Sequence, residues 1–182
     1  MEYLPGGTLR EKLLTQNLSV IDSVKILIGL CKGLISIHNA GLVHRDLKPE
    51  NIFFDHIGTP KIGDFGLARV IGSNSLTTDR IVLGTVLYIP PEYIETGESD
   101  QRGDLYALGV IAFEMFTGKA PFVGRIAEDV TRAKFQPVSI TPLIDADIDR
   151  ELIAVTLKLM ELRLLHRYQT AAEPLAVLES WL

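Results

Sequence analysis

The chain has 182 residues, of which 47% are hydrophobic and 23% charged, and its formal net charge at pH 7 is −5. This length and composition are typical of one ordinary globular domain with a sizeable core. Because the basic residues are scattered along an acidic chain, the sequence predicts no nucleic-acid partner. The longest apolar stretch, Leu105 to Phe113, is far shorter than the ~18 residues that a membrane span needs, so we expect no membrane segment within this chain.

A long helix is predicted from about Ser19 to Asn39. Apolar residues recur there at three- and four-residue steps, and Gly41 follows as a stop signal. Cys31, the single cysteine of the chain, lies on the apolar side of this helix, so we expect it to be a packing residue. A lone cysteine excludes a disulfide framework and favours a reducing compartment, which predicts a cytoplasmic protein.

Two short strands are predicted next, at residues 51–54 and 61–63, around the turn DHIGTP, in which Gly58 is free to adopt a positive φ. If the second strand returns through Ile62, then Asn51 and Asp64 lie side by side at the open end of this hairpin. An amide oxygen beside a carboxylate suits Mg²⁺, which takes only one or two protein carboxylates and keeps several waters. The sequence therefore predicts Asn51 and Asp64 as metal ligands.

The loop that leads into the first strand concentrates charged residues. Asp46 stands five residues before Asn51, from where a carboxylate can reach a hydroxyl group held near the metal. Lys48 lies between the two and supplies a compact positive charge for a phosphoryl group in transfer. This cluster predicts a base, a cation and a metal ligand around one phosphate.

The rest of the chain is predicted to be mostly helical. The polar stretch IGSNSLTTDR, residues 71–80, has no useful periodicity and predicts a loop. Helical patterns resume near residues 104–117 and from about residue 147 to the end, with a proline-containing connection over residues 121–142 between them. The predicted fold is mainly α with a short β-hairpin.

Four motifs occur in a fixed order along the chain: HRDLKPEN at His44–Asn51, DFG at Asp64–Gly66, GTVLYIPPE at Gly84–Glu92 and DLYALG at Asp104–Gly109. Together they resemble the signature set of protein kinases. Lys48 and Thr85 resemble the serine/threonine type, and the sequence DLYALG resembles that of bacterial members. The resemblance implies a C-terminal lobe over residues 9–182, a hinge over residues 1–8 and an activation segment over residues 64–92.

The resemblance also implies roles for the clustered residues. Asp46 would accept or orient the proton of the substrate hydroxyl, while Asn51 and Asp64 would hold Mg²⁺ on the phosphates of ATP. Thr85 would hydrogen-bond towards Asp46 and Lys48 and shape the floor under the substrate residue. The implied reaction is transfer of the γ-phosphate of ATP to serine and threonine hydroxyls of proteins.

A nucleotide site is implied between the hinge and the hairpin. Backbone groups of Glu2 and Leu4 would face the adenine, with Leu9 and Phe53 beneath the ring. Core packing is the alternative role for Leu9 and Phe53. The full set expected to contact the nucleotide is Glu2, Leu4, Leu9, Lys48, Glu50, Asn51, Phe53 and Asp64.

Three further expectations concern structural contacts. Asp104 is either a helix N-cap or, as the resemblance implies, the anchor of the catalytic-loop backbone. Glu92 and Arg167 are either surface charges or a partly buried ion pair, although Arg163 and Leu164 replace the Asp-Pro that usually precedes such an arginine. His44 and Phe65 are expected to be packing residues.

The activation segment carries several hydroxyl groups, which are either solvated or regulatory. Arg45 and Arg69 are spaced so that their guanidinium groups could meet at a phosphate on this segment. The hypothesis is that Thr77, or failing that Thr78, is an activating autophosphorylation site. The other hydroxyl candidates in this segment are Ser73 and Ser75.

The sequence MEYLPGGTL, residues 1–9, resembles the hinge of a kinase, and the chain contains neither the Gly-rich loop nor the strand lysine of a small lobe. We therefore expect residues 1–182 alone to bind ATP weakly and to transfer phosphate poorly, with a small-lobe segment or a partner kinase completing the site. One alternative is a non-catalytic lobe that acts as a protein-docking or regulatory module. Another is a small-molecule kinase of the aminoglycoside type, although such enzymes lack the GT to PPE segment.

Overall fold

Helices make up most of the computed structural model, which describes residues 4–64 and 86–182. The structure confirms the predicted class, mainly α with one short antiparallel hairpin. Within the described ranges, no helix combines the length and the apolar character needed to cross a membrane. In chain order the elements are α1 (Leu9–Thr15), α2 (Val20–Asn39), a 3₁₀ turn (Pro49–Asn51), β1 (Ile52–Phe54), β2 (Pro60–Ile62), α3 (Pro91–Thr96), α4 (Gln101–Thr117), α5 (Ala127–Lys134), α6 (Thr141–Asp145), α7 (Arg150–Leu159) and α8 (Ala172–Trp181).

The first two helices begin at polar caps that the sequence supplies. Thr8 and Glu11 form a capping box at the start of α1, which satisfies two otherwise unpaired N–H groups. The hydroxyl of Ser19 accepts a hydrogen bond from the N–H of Asp22 at the start of α2. Helix α2 ends at Asn39, and Gly41 follows with a φ of +74°, so the predicted long helix is confirmed.

The hairpin has the predicted pairing. Ile52 lies opposite Ile62, and the N–H of Gly63 donates a 2.9 Å hydrogen bond to the carbonyl of Asn51. Gly58 adopts a φ of +83° in the turn, a backbone conformation that glycine reaches without steric cost. This register places Asp64 one residue beyond the partner of Asn51, at the open end of the hairpin.

The core is built around α4, which packs against α2 and α7. A Cβ atom at Gly109 would lie 2.7 Å from side-chain atoms of Leu159 and of Met160, so glycine lets α4 and α7 approach closely. Cys31 on α2 is fully buried in this core, and burial raises the pKa of its thiol to about 12. Its predicted packing role is confirmed.

Two helix predictions in the C-terminal half are wrong in extent. The connection over residues 121–142 contains the whole of α5 and the start of α6. The helix expected from about residue 147 to the end is two helices, α7 and α8, with a non-helical stretch between them. Arg167 lies in that stretch and is fully buried. Its guanidinium group there binds Glu92 and the backbone carbonyls of Glu161 and Arg102.

The predicted ion pair between Glu92 and Arg167 is confirmed. The side chain of Arg167 is 0% exposed, and its Nη1 and Nη2 atoms lie 2.8 and 3.0 Å from the two carboxylate oxygens of Glu92. Arg167 also donates to the carbonyls of Glu161 and Arg102, at 2.8 and 2.9 Å. The carbonyl of Arg163 accepts from the N–H of Arg167 at 3.1 Å, so a turn forms there without the usual Asp-Pro.

Replacing Glu92 by Gln leaves the buried guanidinium of Arg167 without its counter-ion. Loss of one partner of a buried ion pair costs roughly 3–5 kcal/mol, so we expect the free energy of unfolding to fall by that amount in a urea titration. Glu95→Gln is the matched control, because Glu95 is an exposed residue of the same helix and should change stability by less than about 0.5 kcal/mol. Equal stabilities for the two variants would contradict a stabilising pair.

Candidate active site

Asp104, in the first turn of α4, anchors the backbone of the loop that carries the charged cluster. Its carboxylate is 1% exposed and accepts hydrogen bonds from the N–H groups of His44 and Arg45, at 2.9 and 2.8 Å. His38 Nε2 lies 2.8 Å from the same carboxylate. The N-cap of α4 is instead Asp100, so the expected anchoring role of Asp104 is confirmed.

The anchored loop has an unusual backbone conformation. Arg45 adopts a φ of +67°, in the left-handed region that costs free energy for a residue with a Cβ atom. The two hydrogen bonds from consecutive amides to Asp104 hold the chain in this conformation. As a result the next residue, Asp46, is turned towards the hairpin.

His44 joins this loop to the end of the hairpin. It is buried, as expected of a packing residue, and it also makes polar contacts that sequence reasoning missed. Its Nε2 lies 2.9 Å from the carbonyl of Gly63, and its Nδ1 lies 3.3 Å from the N–H of Asp46. These partners favour the tautomer in which Nε2 carries the proton and Nδ1 accepts.

The structure brings Asp46, Lys48 and Asn51 into direct contact. Lys48 Nζ lies 3.0 and 2.8 Å from the two carboxylate oxygens of Asp46. The side-chain amide of Asn51 donates to the carbonyl of Asp46 at 2.8 Å and to its carboxylate at 3.0 Å. The side chains of Asp46 and Lys48 are 25% and 20% exposed, so part of each is accessible from solvent.

Asn51 and Asp64 have the chemistry of a magnesium site. The amide nitrogen of Asn51 binds Asp46, so its oxygen is the atom with which it would bind a cation. Asp64 is exposed and adopts a φ of +57°, a further left-handed residue beside the cluster. No group of three or more His, Cys, Asp and Glu side chains suited to a metal ion occurs within residues 4–64 and 86–182. One carboxylate and one amide fit Mg²⁺, which draws its remaining ligands from water and substrate phosphates.

The residues expected at the nucleotide differ in exposure. Leu9 is fully buried, so the structure supports its core-packing role. Phe53 is only partly buried; it pairs with Thr8 in an isolated bridge and lies against Gly63. Leu4 is also partly buried. The other predictions in this region and in the activation segment lie outside the described residues: Glu2, Phe65, Arg69, Ser73, Ser75, Thr77, Thr78 and Thr85.

Sequence reasoning missed a network centred on Arg10 of α1. The guanidinium donates to Glu50 at 2.8 Å, to Glu114 at 2.7 Å and to the hydroxyl of Tyr88 at 2.7 Å. The hydroxyl of Tyr88 in turn donates to Glu114 at 2.5 Å. Burial, followed by the charge of Glu114, raises the pKa of Tyr88, which keeps its hydroxyl a donor. No periodicity or motif links these residues, since they are far apart in the sequence.

A carboxylate held by a lysine and an asparagine lies next to the open end of the hairpin. Such an arrangement suits phosphoryl transfer. Residues 1–171 match the family described as protein kinase domain. The chain therefore belongs to the protein kinase family, and its similar relatives are bacterial kinases of the serine/threonine type.

Three relatives illustrate this similarity. The serine/threonine-protein kinase PknL of Mycobacterium tuberculosis is 39% identical over 155 residues, which cover 80% of this chain and 39% of PknL. The probable serine/threonine-protein kinase PknB of Corynebacterium glutamicum is 35% identical, over 95% of this chain and 28% of the relative. The serine/threonine-protein kinase PrkC of Bacillus subtilis is 32% identical, over 95% of this chain and 27% of PrkC. The chain thus spans less than half the length of these relatives.

Replacing Asp104 by Asn puts an amide NH₂ where a carboxylate oxygen accepts backbone N–H groups. A buried donor left without its acceptor costs about 1–3 kcal/mol, so we expect a loss of unfolding free energy of at least that size in chemical denaturation. Asp100→Asn is the control, because Asn caps a helix about as well as Asp and Asp100 is exposed. If both variants lost the same small amount, Asp104 would not be the anchor.

Proposed function

We propose that this chain is the catalytic lobe of a serine/threonine protein kinase, which transfers the γ-phosphate of ATP to serine and threonine hydroxyls of proteins. The observation that carries the proposal is the placement of Asp46, whose carboxylate is bound by both Lys48 and Asn51. A docking or regulatory module without catalysis would not require this arrangement of charge.

Each residue of the cluster has a definite task in such a transfer. Asp46 orients the substrate hydroxyl and receives its proton, while Lys48 places positive charge beside the oxygen atoms of the transferring group. Asn51 and Asp64 would hold Mg²⁺. When bound, the metal neutralises charge on the phosphates. Lys48 also keeps Asp46 from rotating away, since it contacts both carboxylate oxygens.

The nucleotide would lie between the hinge, residues 1–8, and the hairpin. The partial exposure of Phe53 supports a place for it beneath the adenine, whereas the fully buried Leu9 supports that platform from within the core. Glu50 is tied to Arg10, which fixes the turn that precedes Asn51. Backbone groups of Glu2 and Leu4 would face the base, and Thr85 would lie under the acceptor residue.

Regulation by the activation segment, residues 64–92, remains part of the proposal. The exposed side chain of Arg45 supports the hypothesis that a phosphate at Thr77 or Thr78 is bound beside the catalytic loop. The single, buried Cys31 fits a reducing, cytoplasmic location. The expectation that residues 1–182 alone transfer phosphate poorly stays a prediction, so the complete gene product is the protein on which phosphate transfer should be measured.

Replacing Asp46 by Asn preserves the size of the side chain but removes the base. We expect the rate of phosphate transfer from ATP to a generic acceptor, myelin basic protein, to fall by roughly 10²–10⁴-fold, with little change in ATP affinity. Asp55→Asn is the control: Asp55 lies at the closed end of the hairpin, where it accepts backbone N–H groups. Undiminished transfer by the Asp46 variant would exclude the proposed base.

Replacing Asp64 by Asn removes the only carboxylate of the proposed metal pair. We expect the affinity for Mn²⁺ in the presence of ATP, measured by electron paramagnetic resonance, to fall by roughly tenfold or more. Replacing a residue that only supports a metal ligand already lowers metal affinity by about this factor. The same Asp55→Asn protein should bind Mn²⁺ normally. Equal Mn²⁺ affinity in the Asp64 variant and the control would remove Asp64 from the site.

A further inference from the structure

Lys134, the last residue of α5, is completely buried. Its exposed fraction is 0%, although lysines are almost never fully buried unless their charge is compensated. The ammonium group donates to the carbonyls of Leu87 and Ile89, at 2.6 and 2.8 Å, and lies 3.5 Å from the hydroxyl of Tyr106. Among the residues that the structure describes, Lys134 binds backbone acceptors and forms no ion pair with a carboxylate.

Two aromatic rings complete this environment. The Nζ atom lies 4.8 Å from the ring centre of Tyr106 and 5.1 Å from that of Phe122, and both ring faces attract a cation. Burial lowers the pKa of Lys134 to about 7, while the charge of Glu92 acts in the opposite direction. A lysine at this position is costly to bury, so its contacts with the two carbonyls call for an explanation beyond packing.

The two carbonyls belong to Val86–Pro90, which directly follows Thr85 and ends where α3 begins. We call these residues the docking segment. Lys134 binds the segment through its backbone, and the side chain of Tyr88 points into the Arg10 network instead. Arg10 continues to Glu50, which is the neighbour of Asn51. The docking segment is thus held to α5 by Lys134, and Tyr88 links it through Arg10 to Glu50 in the 3₁₀ turn Pro49–Asn51.

We propose that Lys134 is a positioning residue, which holds the docking segment in the shape that receives the acceptor protein. This inference rests on the proposed kinase function. The contacts of Lys134 are with the docking segment, Tyr106 and Phe122, and none is with Asp46, Asn51 or Asp64. Lys134 therefore determines the affinity for the acceptor and not that for ATP.

The test compares Lys134→Met with the wild type. Methionine fills the space of the lysine stem but donates no hydrogen bond. We expect the KM for myelin basic protein to rise by roughly fivefold or more, the effect of about 1 kcal/mol of lost hydrogen bonding, while the KM for ATP changes by less than about twofold. Lys158→Met is the matched control, because Lys158 also lies over a tyrosine ring, 4.3 Å from the centre of Tyr168, but is exposed. It should leave both KM values unchanged.

A second readout does not depend on activity. Hydrogen–deuterium exchange of a peptide covering residues 86–94 should be roughly tenfold faster in Lys134→Met than in the wild type, because the segment opens locally, and unchanged in Lys158→Met. If the Met variant does not fold, Lys134→Gln, which retains one donor group, takes its place. The acceptor KM and the exchange rate should then rise in the same direction but by smaller factors.

The results distinguish failure of the positioning role of Lys134 from failure of the proposed kinase function. Unchanged exchange in the docking segment would overturn the positioning role, and so would equal increases of both KM values. If the complete wild-type gene product transferred no phosphate at all, the proposed function would fail, and the exchange measurement would still decide whether Lys134 holds the segment.

Discussion

The carboxylate of Asp104 is the constraint on which the candidate site depends. It binds two consecutive backbone amides, at His44 and Arg45, and it is supported by His38. Those amides belong to a loop whose backbone enters the left-handed region at Arg45, a conformation that is not stable by itself. Because Asp104 belongs to the central helix α4, the position of Asp46 is set by the most deeply buried element of the fold.

Three cations, of which Arg167 and Lys134 are buried and Arg10 is partly buried, bind the chain that leads from the docking segment into α3. Arg167 binds Glu92 at the start of α3, Lys134 binds the docking-segment carbonyls, and Arg10 binds Tyr88. Tyr106 of α4 links two of them, since its ring centre lies 5.1 Å from the guanidinium carbon of Arg167 and 4.8 Å from Lys134 Nζ. Each cation has defined hydrogen-bond partners. We therefore expect the docking segment and the start of α3 to move little.

The sequence predicted the parts of this structure that local patterns or ordered motifs encode. The apolar spacing of α2 and the pairing of the hairpin follow from local patterns. The Asp104 anchor and the Glu92 to Arg167 pair were each one of two alternatives, the one that the resemblance to protein kinases implied. Helix α5 was missed because few of its residues are buried, Val130 and Lys134 among them, which leaves a weak apolar pattern. The Arg10 network and the carbonyl contacts of Lys134 could not be predicted, since they arise only when distant elements pack together and no spacing in one sequence records them.

The measurement that tests this account most directly is native-state hydrogen exchange, followed by NMR, at the backbone amides of His44 and Arg45 in the wild-type protein. If the Asp104 carboxylate holds the catalytic loop, these two amides exchange only through the opening that also exposes the amides in the core of α4. Exchange at the rate of exposed loop amides, independent of that opening, would contradict the claim that α4 fixes the site.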